Sequence, residues 1–184
     1  MIIIDGLVEQ HYAELIHMQM RGVSWEYNYS SVVGKPNKHW HRFCGHNVDE
    51  VNDNGFEWLL PIWNNAKRKL KLEDTYDVHN FDRVYMNAHT FGIEPHLHHD
   101  DGDYTMIYYP YMGWKKEWSG GTMIDGEMCD YVGNRLVMFP ASEKHQAMPV
   151  SRDCYQLRSV IVFKTSVKSW DEEHCHMDYD SGRC

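Results

Sequence analysis

The stretch Pro95-His96-Leu97-His98-His99-Asp100-Asp101-Gly102-Asp103-Tyr104-Thr105-Met106-Ile107-Tyr108-Tyr109 holds two strand-like runs joined by an acidic turn. His96–His99 and Tyr104–Tyr109 carry the two-residue period of strands, and Asp101-Gly102 supplies turn chemistry between them. The pattern continues outward. Strands are expected at Arg83–Thr90 upstream and at Gly121–Asp125, Arg135–Phe139, Gln146–Val150 and Gln156–Lys164 downstream. Gly120-Gly121, Asp125-Gly126, Gly133-Asn134 and Pro140-Ala141-Ser142 punctuate them. Many short antiparallel strands at this spacing make a β-sandwich or barrel.

Before Asp82 the period is helical. Leu7, Tyr12, Leu15, Ile16 and Met20 fall near helix spacing with Gly22 as a stop. A second helix is expected from Phe56 to Leu72, where Trp58, Leu59, Ile62, Trp63, Ala66 and Leu70 share a face and Pro61 is tolerated only in the first turn. Trp25 to Asn54 reads as a strand followed by long irregular connections. Both helices are expected to pack on the outer face of one sheet.

At 184 residues, 42% hydrophobic and 14% aromatic, the chain has enough apolar surface for one sizeable core. No stretch approaches about 18 consecutive apolar residues, and Met1-Ile2-Ile3-Ile4-Asp5 is too short for a leader's apolar region, so a cytoplasmic protein is expected, with no membrane partner. Five widely spread cysteines without a Cys-x-x-Cys pair indicate reduced thiols. A net charge of −9 opposes binding to phosphate backbones, and Lys67-Arg68-Lys69-Leu70-Lys71 reads as the solvated end of a helix. The tail after Ser169 carries Asp, Glu, His174, Cys175 and His176 and reads as a frayed acidic terminus rather than a metal site.

Thirteen histidines direct attention to metal chemistry. Alternate strand residues share a face, so His98 and Asp100 project together as an imidazole and a carboxylate. Met138-Phe139-Pro140-Ala141-Ser142-Glu143-Lys144-His145 offers a third ligand at the start of a later strand. Two histidines and one carboxylate on one side of an iron(II) ion leave three positions open. His99 with Asp101 is a rival register, disfavoured because Asp101-Gly102-Asp103 is then lost to the turn. Arg158 heads an alternating strand that aims Arg158, Val160 and Val162 inward, and its planar fork suits a carboxylate. Arg152, in a turn-like Ser151-Arg152-Asp153-Cys154, is the competing anchor.

In the order His-x-Asp, Thr-x-x-Tyr-Tyr, Trp, Gly-Gly, Arg-Leu-x-x-Phe, His and Arg, the chain from Arg83 to Lys164 resembles the prolyl-hydroxylase-like branch of the 2-oxoglutarate/Fe(II)-dependent dioxygenases. The resemblance implies a mainly β double-stranded β-helix, or jelly roll, with N-terminal helices on one sheet. It implies a single domain over 1–184: helical and irregular support at 1–82, the double-stranded β-helix at 83–168 and the acidic tail at 169–184. By the same resemblance His98, Asp100 and His145 are metal ligands, Arg158 pairs with the far carboxylate of 2-oxoglutarate, Tyr109 hydrogen-bonds it with Thr105 on the same strand face, and Trp114 with Gly120-Gly121 is architectural.

The implied cofactors are Fe(II), 2-oxoglutarate and O2, with ascorbate a candidate accessory. The implied reaction is hydroxylation of an unactivated carbon, foremost a proline in a peptide or protein, so the expected partner is a peptide, protein or small-molecule substrate rather than a nucleic acid. Asp100 argues against related halogenases, which carry a small residue there. Alternatives are a small-molecule hydroxylase, a nucleic-acid dealkylase suggested by the Arg152/Arg158 spacing but opposed by the charge, and a non-catalytic jelly-roll metal module. Tyr85, Asn87 and His89 share one strand face as substrate-contact candidates, while aromatic residues Trp114, Trp118 and Tyr131 read first as core.

Overall fold

A computed structural model describes residues 1–32 and 34–167, so the acidic Cys/His/Asp tail lies outside the described residues. The strands are β1 (Ile2–Asp5), β2 (Glu26–Tyr29), β3 (His39–Gly45), β4 (Arg83–His89), β5 (Tyr104–Tyr109), β6 (Thr122–Ile124), β7 (Glu127–Cys129), β8 (Arg135–Pro140), β9 (His145–Ala147) and β10 (Arg158–Thr165). The helices are α1 (Gln10–Arg21), α2 (Val48–Asp53), α3 (Leu60–Leu70) and α4 (Leu72–Tyr76). A seven-stranded antiparallel sheet in the order β1-β8-β5-β10-β4-β3-β2 faces a three-stranded sheet in the order β7-β6-β9.

Strand alternation divides the core in two. One face of the large sheet, carrying Val84, Met86, Met106, Tyr108, Leu136, Met138, Ile161 and Phe163, packs under α1 and α3 through Ala13, Ile16, Met20, Ile62, Trp63 and Ala66. The opposite face packs between the sheets, where Ile107, Val137, Phe139, Val160 and Val162 meet Ile124, Cys129 and Tyr131. Strand β10 is central and buried at all eight positions. Two of those positions are charged, Arg158 and Lys164, both on the inter-sheet side with Val160 and Val162 between them. Burying a charge is costly unless it is paired, so these two mark where the fold serves something other than packing.

The helical expectations hold with one division. Pro61 sits in the first turn of α3, preceded by a 3-10 turn over Glu57–Leu59. Lys71 adopts φ 52°, a left-handed conformation that ends α3 and starts α4 as a separate element.

Three expectations are corrected. His96–His99 is not a strand: Pro95 removes an amide hydrogen and the acidic turn follows at once, leaving one isolated bridge, His98 with His145. The interval Trp25 to Asn54 holds β3 and α2 rather than irregular connection alone. The strand placed at Gln146–Val150 begins a residue earlier, at His145, and ends at Ala147.

Candidate active site

The bridge between His98 and His145 brings the first and third expected ligands together. The His98 amide donates to the His145 carbonyl at 3.0 Å and the His145 amide returns the bond at 2.8 Å. The Asp100 amide donates to the Ala141 carbonyl at 2.9 Å, which fixes the main chain that carries the carboxylate beside the two rings. The ligand atoms of His98, Asp100 and His145 all lie within 4.8 Å of one another. His145 Nε2 is 3.1 Å from Asp100 Oδ2, and His98 Nε2 is 3.7 Å from Asp100 Oδ1.

The donor chemistry suits a metal. His98 Nδ1 sits 2.7 Å from the His96 carbonyl, and His145 Nδ1 sits 3.0 Å from the Glu143 carbonyl. A carbonyl only accepts, so each Nδ1 carries the proton and each Nε2 presents its lone pair toward Asp100. Burial keeps both rings neutral near pH 7: it pushes His98 down to about 4 and lowers His145. His99 is exposed, and Asp101 turns outward to accept from Arg83 at 2.8 Å. The rival register therefore does not converge.

Asp100 has a further partner that the sequence did not disclose. Its Oδ2 accepts from Thr105 Oγ1 at 2.7 Å and is in contact with Lys164 Nζ, which also donates to Thr105 Oγ1 at 3.0 Å. Desolvation, then the Arg83 guanidinium, pull the Lys164 amine down to about 7, whereas contact with a carboxylate favours the ammonium. Proximity to Asp100 decides for the charged form. Thr105 thus serves the carboxylate of Asp100, at the His98/His145 end of the cavity. The signal for Lys164 lay in its alternation with Arg158, Val160 and Val162.

A cavity of roughly 190 Å³ runs between the sheets from His98, Asp100 and His145 to Arg158. Arg158 is 1% exposed; its Nε donates to the Gly120 carbonyl at 2.6 Å, and Nη2 lies 3.4 Å from both the Gly121 carbonyl and Thr122 Oγ1. None of these partners is charged, and no carboxylate pairs with Arg158 among the described residues. Tyr109 does not reach the cavity wall; its hydroxyl donates to Thr122 Oγ1 at 2.7 Å and so supports the residue beside Arg158. Gly120 and Gly121 give their carbonyls to Arg158, and an ideal Cβ at Gly121 would lie 2.5 Å from the Cys129 carbonyl. Trp114 packs against Tyr131 and donates to the Ser119 carbonyl, which holds this turn.

Arg152 is exposed, with its guanidinium over the Phe91 ring at 5.1 Å. Tyr85, Asn87 and His89 line the cavity from β4, whereas Trp118 and Tyr131 are buried in the core. At the mouth, Tyr29 stacks on His41 with centroids 3.9 Å apart, and His41 Nδ1 is hydrogen-bonded to the Asn87 side chain at 2.8 Å.

No family model and no curated protein matches this sequence. Solved structures do match its fold. A Pseudomonas putida prolyl-4-hydroxylase superposes with TM-score 0.62 at 14% identity, over 91% of this chain and 92% of that one. An oxidoreductase of the 2OG-Fe(II) oxygenase family from Burkholderia pseudomallei gives TM-score 0.69 at 10% identity, over 91% and 85%. HygX from Streptomyces hygroscopicus, with nickel, 2-oxoglutarate and hygromycin B bound, gives 0.62 at 7%, over 88% and 80%. The architecture is thus the double-stranded β-helix of these oxygenases, as the resemblance implied and in keeping with the sandwich or barrel expected from the strand pattern. Among the described residues, no helix is long and apolar enough to cross a membrane.

Proposed function

We propose that this chain is an Fe(II)- and 2-oxoglutarate-dependent dioxygenase that hydroxylates an unactivated carbon, with a proline in a peptide or protein as its substrate. The observation that carries the reading is the pairing, across one cavity, of a His98/Asp100/His145 ligand set with a buried Arg158 that has no acidic partner among the described residues. A buried guanidinium bonded only to neutral acceptors leaves positive charge for an anion to meet.

When bound, iron supplies the means of activating O2, and the overall change is substrate C–H plus O2 plus 2-oxoglutarate to substrate C–OH, succinate and CO2. The residues supply geometry. His98 and His145 present their Nε2 atoms and Asp100 one carboxylate oxygen, while Thr105 and Lys164 hold the other. Arg158 receives the far carboxylate of the co-substrate, with Tyr109 acting through Thr122. Val160 and Val162 present apolar surface along the cavity.

For the substrate class, the exposed Tyr29, which lines the cavity and stacks on His41 behind it, offers an aromatic surface of the kind that proline-rich segments dock against. Arg152, the second arginine of the dealkylase spacing, is on the surface and adds no support to that alternative. The test is a panel of proline-containing peptides, small molecules and methylated oligonucleotides with iron(II) and 2-oxoglutarate. Peptides should raise succinate formation above the uncoupled rate, and one proline should gain the mass of one oxygen atom. Stimulation by oligonucleotides alone would move the assignment to a dealkylase.

A further inference from the structure

Strands β4 and β10 are antiparallel, and their register sets His89 directly opposite Arg158. Residues opposite each other on one face have Cβ atoms roughly 4.5–5.5 Å apart, and both side chains line the cavity. His89 is 4% exposed, and its Nδ1 is buried without a protein partner. The ring is bordered by Arg158 and, edge-on at 4.9 Å, by His39, whose own Nε2 is also buried and unpartnered. No carboxylate faces it from either neighbouring strand. A polar atom left bare in a sealed position is unusual, and here its residue lies opposite a buried guanidinium that has no anionic partner among the described residues.

We propose that His89 is a second anchor of the co-substrate, donating an imidazole N–H to the same far carboxylate that Arg158 holds. The inference rests on the 2-oxoglutarate reading above and adds to it a residue whose effect is on the choice of ligand. A neutral imidazole carries one N–H, which is enough for one bond to a carboxylate oxygen already drawn by Arg158.

The test compares two ligands of manganese(II)-loaded protein by calorimetry: 2-oxoglutarate, and 2-oxopentanoate, which has the same carbon chain with a methyl in place of the far carboxylate. His89→Phe keeps an aromatic ring and removes the donor; it should weaken 2-oxoglutarate binding roughly tenfold or more while leaving 2-oxopentanoate within about twofold. His89→Gln, which restores a donor, should recover most of the loss. In zinc(II)-loaded wild-type protein with labelled histidine, the His89 ring resonance should move on adding 2-oxoglutarate and stay still with 2-oxopentanoate, a measurement that needs no variant. Unchanged 2-oxoglutarate affinity in His89→Phe, an equal loss for both ligands, or a silent ring resonance would overturn the assignment. Wild-type protein that binds 2-oxoglutarate no better than 2-oxopentanoate would instead overturn the parent reading, and this inference with it.

Discussion

Lys164, buried on the last strand, contacts the same oxygen of Asp100 that accepts from Thr105, so the candidate ligand carboxylate is held by two donors before any metal arrives. Removing one member of a buried ion pair leaves the other uncompensated, at a cost of about 3–5 kcal/mol. Lys164→Met should therefore unfold at a clearly lower temperature than wild type when metal-free. A divalent cation supplies the missing positive charge, so manganese(II) should raise the melting temperature of Lys164→Met by more than it raises that of wild type. Calorimetric scans with and without metal check this; equal metal-induced shifts would show that Lys164 does not compensate Asp100.

Stability should also fall in mild acid. Burial pushes His39 down to about 4 from its ordinary 6.5, and lowers His89 well below that ordinary value. Between those values the unfolded chain binds protons that the folded chain refuses, so stability rises with pH there. His39 contributes in full above pH 6.5, and its contribution, on the order of 3 kcal/mol, is lost as pH falls toward 4. Metal-free His98 acts in the same window, so the informative comparison is wild type against His39→Gln. Urea unfolding at a series of pH values should give a shallower slope for the variant; an identical slope would place the sensitivity elsewhere.

Gly121 is held by space rather than by backbone angle. An added Cβ would meet the Cys129 carbonyl at 2.5 Å and the Asp130 Cα at 3.2 Å, both main-chain atoms that cannot swing aside. Gly121→Ala should cost roughly 1–3 kcal/mol of stability, as overpacking does, and should weaken 2-oxoglutarate binding because the carbonyls that seat Arg158 must shift. A denaturant melt and a binding isotherm on the same preparation check both parts.

Local pattern carried much of the architecture. Tyr104–Tyr109 is a strand over the expected residues because its alternation is clean and Asp101-Gly102 bounds it. The two helices announced themselves through apolar spacing, Gly22 and Pro61. β3 was obscured because its side chains on the cavity side are polar: His39 and His41 fill positions where a half-buried strand usually shows aliphatic residues. The start of α2 had a legible signal in Asn47, whose side chain accepts from the Glu50 amide at 2.9 Å.

The site was legible where ligands lie near one another in sequence and opaque where pairing across strands makes the contact. His98 and Asp100 could be read together, and Arg158 from strand alternation. That His89 faces Arg158 and that Lys164 lies opposite Thr105, the residue bonded to Asp100, follow from the register of β10 with its neighbours, and that Thr122 stands between Tyr109 and Arg158 follows from the packing of one sheet on the other; no local pattern encodes either.

The central claim is that the cavity binds 2-oxoglutarate on a metal held by His98, Asp100 and His145, with Arg158 at the far end. Its most direct test is an anaerobic titration of the iron(II)-loaded protein with 2-oxoglutarate, followed by the weak visible charge-transfer band of the chelate, in wild type, Arg158→Ala, Tyr109→Phe and Arg152→Ala. Truncating Arg158 strands a desolvated carboxylate and should cost about 2–5 kcal/mol, a loss of roughly thirtyfold to several-thousandfold in affinity, with iron still bound. Tyr109→Phe should lose less, since it acts through Thr122, and Arg152→Ala should behave as wild type. Equal affinity in wild type and Arg158→Ala, or no chelate band in wild type at saturating iron, would contradict the account.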